Sequence, residues 1–260
     1  MNEVLFQMHS ALRADLIGKH EFYVRQAKKR LLSQFQEEDI RQEADSEGER
    51  FLEENQRHFN PDVHDGSEFY EMAGEAQSER YQLLFEMRNN VRLSIIAGLF
   101  HEWEKNLRQW LVDEIQHWHY GEDTKSTIWK KNVSDLFELL ESFGWPLKCA
   151  SYFKDLDACR LIVNVYKHGE GNSLNGLDQS YPKFLDHPFE EMRGIVGETW
   201  FSPSYEYLKV EDDDLEAFSD AILQFWKDVP ENVLNTHITN PPSWLLKAIE
   251  KDQNNQKQTT

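Results

Sequence analysis

The chain has 260 residues, 39% of them hydrophobic and 13% aromatic, which is enough for a packed core and excludes global disorder. A formal net charge of −19 excludes a protein that grips nucleic acid mainly through a basic face, since that affinity comes from counterions released by phosphate contacts. Any contact with RNA or DNA therefore has to be local and brief, as for an enzyme, and the charge is also sufficient by itself to keep a protein in solution.

The N-terminal text, MNEVLFQMHSALRADL, has no basic segment followed by an apolar one, and no window approaches the roughly 18 apolar residues of a membrane span. Two cysteines, Cys149 and Cys159, are too few for a secreted disulfide scaffold. Together these point to a cytoplasmic protein with no membrane association.

In chain order, residues 2–57 contain no proline and carry apolar residues at Val4, Leu5, Met8, Leu12, Leu16, Phe22, Ala27, Leu31, Leu32 and Phe35. That pattern predicts one or two long helices forming an arm. From Gln36 to Gln56 the text is polar on nearly every face, the mark of a helix that bridges solvent or packs along one thin stripe. Asn60-Pro61-Asp62-Val63-His64-Asp65-Gly66-Ser67 breaks the pattern. Helical spacing resumes through Tyr81, Phe85, Ile95, Leu99, Trp103, Leu107, Leu111 and Ile115, with Gly74 and Gly98 as candidate breaks.

A shorter helix follows at about 126–143, closed by Gly144-Trp145-Pro146, and another at about 152–168, closed by Gly169. Residues 170–208 hold most of the remaining Gly and Pro and leave room for a small β-hairpin around 192–209. Asp212-Asp213-Asp214 favours a helix start, and the helix runs to about Asp228. The polar tail 250–260 is expected to fray. The expected architecture is all-α: an N-terminal helical arm (1–60), a helical bundle (61–230) and a C-terminal extension (231–260).

The helix at 152–168 carries the most distinctive text. Arg160, Asn164 and His168 recur at four-residue steps, so they project from one face. A helix that only filled a core would not need them, and burying such a stripe without partners costs about 1–3 kcal/mol per unmet group. Histidine also exchanges protons near neutral pH. The structural alternative is that Arg160 and Asn164 pair with acidic neighbours such as Asp157, while His168 closes the helix.

With Arg160, Asn164, Lys167-His168-Gly169, the preceding Phe100-His101-Glu102-Trp103-Glu104 step and the closing Phe225-Trp226, the stretch of about 84–228 resembles the HEPN group of helical domains. The resemblance implies a homodimer whose signature helices meet, and metal-independent RNA cleavage, as in toxin and host-defence effectors. In it the RNA 2′-hydroxyl attacks the adjacent phosphate, with His168 as general acid or base, Arg160 stabilising charge and Asn164 orienting them. By the same analogy Glu104 shares a pocket with His168. The sequence departs from the group's pattern at Val163, which stands where Arg would directly precede the polar residue. Arg160 is thereby displaced one turn, about 6 Å along the axis. Residues 2–57 lie outside the resemblance.

The runner-up is a non-catalytic interaction or regulatory subunit that binds a partner protein through its N-terminal helices. No cofactor is expected: there is no Walker loop, dinucleotide fingerprint or nucleophile elbow. No metal is expected either, because His101, Glu102, Glu104, His117 and His119 do not form the two-His, one-turn arrangement of a helical zinc site.

Overall fold

The computed structural model describes residues 2–58, 65–186 and 202–259. The fold is all-α, as the periodicity implied. Its helices are α1 (Ser10–Arg30), α2 (Glu37–Asn55), α3 (Gly66–Gln116), α4 (Glu122–Lys130), α5 (Val133–Ser142), α6 (Phe153–His168), α7 (Asn172–Ser180), α8 (Asp212–Asp228) and α9 (Ser243–Thr259). One small antiparallel pair joins β1 (Val4–Gln7) to β2 (Asn232–Leu234). Neither Gly74 nor Gly98 breaks α3. Gly98 is instead a point of close approach: a Cβ there would run into the Tyr23 hydroxyl. No described helix is long and apolar enough to cross a membrane. The chain divides into two compact units, residues 24–95 and the remainder.

In the larger unit the core is an aromatic cluster with aliphatic walls. Trp103 meets Phe225 edge-on with ring centroids 5.1 Å apart, and Phe100 and Phe137 lie at 5.1 and 6.1 Å. Trp145 reaches Phe225 from the other side at 5.1 Å. Such tilted and edge-on pairs add about 0.5–1.5 kcal/mol each beyond the area they bury. Leu136, Leu140, Leu156, Ile162, Leu215 and Ile222 are all fully enclosed around them.

The N-terminal segment departs from the expected helix. Val4–Gln7 form β1, and Phe6 and Met8, two residues apart, turn inward. Two tryptophans hold the strand: Trp110 donates to the Gln7 carbonyl (3.1 Å) and Trp118 to that of Leu5 (3.0 Å). The Phe6 ring sits 4.1 Å from Phe143. Five residues are too few to separate strand from helix spacing by pattern, and the long-range partners decide. The hairpin expected around 192–209 falls mostly outside the described residues; within them, Tyr205–Tyr207 is one 3₁₀ turn, and Leu208 bridges Leu185.

The polar tail also departs from expectation, since α9 is helical to Thr259. Its polar side chains close the start of α4, whose N-cap, Gly121, has no side chain to offer. Asp252 accepts from the backbone N–H groups of Asp123 (2.8 Å) and Thr124 (2.9 Å), from the Thr124 hydroxyl (2.7 Å) and from His119 Nε2 (3.3 Å). Asn255 donates to Asp123 and Gln256 to the Tyr120 carbonyl, each at 2.9 Å. A Cβ at Gly121 would collide with the Asp252 carboxylate.

In the smaller unit, α2 buries only Ile40, Ala44 and Gly48, a stripe of four-residue steps. Its cross-helix partners descend as its own numbers rise: Glu37 binds Tyr81 and Arg88, Glu43 binds Arg80, Asp45 binds Gln77, and Phe51 meets Phe69. The two helices are therefore antiparallel. Gly48 lets them approach, since a Cβ there would stand 3.3 Å from the Ala73 carbonyl.

Asp252 makes stability depend on pH. Burial opposes its ionisation, but the Thr124 hydroxyl and the Thr124 and Asp123 N–H groups outweigh it and hold the carboxyl below its ordinary value. A depressed folded-state pKa contributes stability above the unfolded value of about 4 and loses it as pH falls through the folded one. Asp252→Asn is expected to cost about 1–3 kcal/mol at neutral pH by urea denaturation. Its deficit against wild type should shrink as pH drops below about 4. A deficit constant down to that pH would deny the carboxylate this role.

Candidate functional site on helix α6

Seven residues of α6 are buried: Leu156, Ala158, Cys159, Leu161, Ile162, Val163 and Val165. They cover most of its circumference, against α7 and α8. One polar stripe, Asp157, Arg160, Asn164, Lys167 and His168, spans about 100° at 100° per residue, while Lys154 and Tyr166 are exposed outside it. The helix stops at Gly169, whose φ of +68 favours glycine and whose N–H reaches the Val165 carbonyl at 2.8 Å. The Tyr205 ring lies against Gly169. Gly171, at φ +136, then turns the chain into α7, which folds back so that Gly176 lies against Leu161.

The stripe has two ends of different character. At the first, Arg160 is engaged: its Nε and Nη2 donate to Asp157 Oδ1 at 2.8 and 2.7 Å, with both side chains largely buried. The Tyr181 hydroxyl donates to the other oxygen of Asp157 at 3.2 Å. Burial first, and then the adjacent Asp157 charge, push the Tyr181 phenol up to about 12. At the second end, Lys167 and His168 are exposed and Asn164 is half-buried. Among the described residues none of these three has a hydrogen-bond or ion-pair partner.

Arg160 and His168 are therefore not brought together within one chain. Eight residues separate them by about 12 Å of helix rise. The Arg160 guanidinium is also held by a residue one turn toward the N-terminus, away from His168. Asp157 had been foreseen as the structural alternative for Arg160. Tyr181, 24 residues further on, leaves no local signal. Lys167 was missed although its spacing, seven after Arg160 and three after Asn164, places it on the same face.

Glu104 is engaged by Arg108, which also donates to the carbonyls of Ile128 and Lys131. His101 contacts the Ala97 carbonyl, His119 binds Asp252, and His117 lies beside Glu114. Among the described residues no three or more His, Cys, Asp or Glu side chains are placed to hold a metal ion. Cys159 is enclosed and its thiol pushed up by burial, so it offers no thiolate nucleophile.

The Asp157 pair makes two opposite predictions for Tyr181, read by NMR titration of ring-labelled tyrosine. Asp157→Asn removes the negative charge and should lower the Tyr181 midpoint. Arg160→Ala removes the positive charge that opposes it and should raise the midpoint. Shifts of the same sign would break this account.

Comparison with protein-family models, with curated proteins and with solved structures returns no match for this chain.

Proposed function

We propose that this chain is a HEPN-like helical protein, cytoplasmic, whose α6 stripe is a metal-independent endoribonuclease site of the toxin or defence type. One observation carries the reading: on a helix whose aliphatic residues are buried, the side chains of Asn164, Lys167 and His168 stand on one stripe, open and unpaired among the described residues. His168 takes the proton of the RNA 2′-hydroxyl or returns one to the leaving 5′-oxygen. The O2′–P bond forms as the P–O5′ bond breaks, leaving a cyclic phosphate and a free 5′-hydroxyl. Asn164 orients the phosphate. Lys167 supplies the cation nearest His168, and Arg160 joins only when it leaves Asp157 or comes from a second copy. A symmetric dimer that brings two α6 stripes together would supply that second Arg160.

A second reading rests on the two hydrogen bonds from Arg160 to one oxygen of Asp157, whose other oxygen accepts from Tyr181. Such a satisfied network suits a structural helix, and the protein would then be a regulatory or interaction subunit.

Cleavage of tRNA and messenger RNA by the full chain in EDTA separates the two. The nuclease reading expects cleavage that persists in EDTA and falls about 10²–10⁴-fold in His168→Ala. It also expects Lys167→Ala to be impaired more than Arg160→Ala. If wild type and His168→Ala are equally inert, the interaction reading stands.

A further inference from the structure

The residues of α3 that face α2 are Ala73, Gln77, Arg80, Tyr81 and Arg88. At 100° per residue, Met72, Leu83 and Met87 fall within about 60° of one another on a strip that adjoins that face, Met87 nearest to it and Met72 furthest from it. They are 52%, 52% and 50% exposed, although large apolar side chains are ordinarily covered. Ala76 continues the line between Met72 and Leu83. The line runs over 15 residues, about 22 Å of helix. Singly scattered apolar residues need no explanation, but these repeat at helical spacing on one strip.

One flank of the strip is acidic. Glu75, Glu79 and Glu86 are all exposed. Among the described residues Glu75 and Glu79 have no basic partner, and Glu86 receives only the neutral Gln82 amide. An apolar seam with carboxylates along its edge is how one helix selects another that carries Lys or Arg at the facing edge positions. A second copy of the chain would set its own carboxylates at the same seam, and an anionic membrane surface would meet the same repulsion.

We propose that the Met72–Met87 strip of α3 docks a basic amphipathic helix of a partner protein, with Leu83 and Met87 as anchors and Glu75, Glu79 and Glu86 selecting its charge. Methionine suits such a seam, because its unbranched thioether adapts to the shape of what covers it. This surface is separate from the α6 stripe and does not rest on the nuclease reading.

The test uses the full chain and two labelled synthetic helices with the same leucine seam, one flanked by lysine and the other by glutamate. Fluorescence anisotropy at low salt should show binding of the lysine helix and none of the glutamate helix. Leu83→Glu with Met87→Glu should weaken the lysine helix about tenfold or more, with circular dichroism unchanged. Glu75→Lys with Glu79→Lys should reverse the preference between the two helices. Failure of the lysine helix to bind, or binding indifferent to both variant pairs, overturns the proposal. So does a wild-type dimer in sedimentation that Leu83→Glu with Met87→Glu dissociates, since the strip would then belong to a second copy.

Discussion

Helix ends leave backbone groups that nothing inside the helix can satisfy, and in the larger unit distant residues satisfy them. Arg13, near the start of the chain, donates to the carbonyls of Trp226 and Lys227 at the end of α8 and to that of Val229 just beyond it. Arg108 does the same for Ile128 and Lys131 at the end of α4. Asp252 meets the first N–H groups of α4. Each contact is a charged group on backbone dipoles, and all but that of Arg13 with the Lys227 carbonyl are partly or fully buried, where a hydrogen bond to charge is worth about 1.5–3 kcal/mol. Apolar packing sets which helix faces turn inward, and these contacts fix which ends meet.

The middle of the fold was readable because its signal is dense. Apolar residues at three- and four-residue steps gave α3, α6 and α8, and Gly169 marked a true end. The stretch expected as one helix at about 126–143 instead divides into α4 and α5 at Lys131-Asn132, where Asn132 and Asp135 form a capping box. The polarity of α2 leaves two possibilities, a solvent bridge or packing along one thin stripe, and the helix takes the second, burying only Ile40, Ala44 and Gly48. The ends were harder for a physical reason. Val4–Gln7 becomes a strand through partners more than a hundred residues away, and the Asp123 and Thr124 N–H groups recruit Asp252 from the far end of the chain. Local spacing contains neither fact. A polar tail reads as solvated unless the helix terminus it caps is known.

The α6 stripe was legible as a stripe, but its division was not. Four-residue steps place Arg160, Asn164 and His168 on one face and say nothing of what each touches. Asp157, itself held by Tyr181, claims Arg160, while Lys167 and His168 stay open. Pattern finds the face, and partners assign the work. The one-turn displacement of Arg160 has a counterpart in space, since it places that residue within reach of Asp157.

The way the larger unit closes also constrains how it is made. Its N-terminal strand waits for Asn232–Leu234, Arg13 waits for the end of α8, and α4 waits for Asp252. A ribosome releasing the chain residue by residue exposes Phe6 and Met8 long before their partners emerge. Contacts this distant in sequence slow folding, because the loop they close must be ordered before they form. Within residues 24–95 the α2–α3 pairs span about 18 to 51 residues, a much shorter wait. The smaller unit is thus positioned to form during synthesis, and the larger one only when the last helix is free.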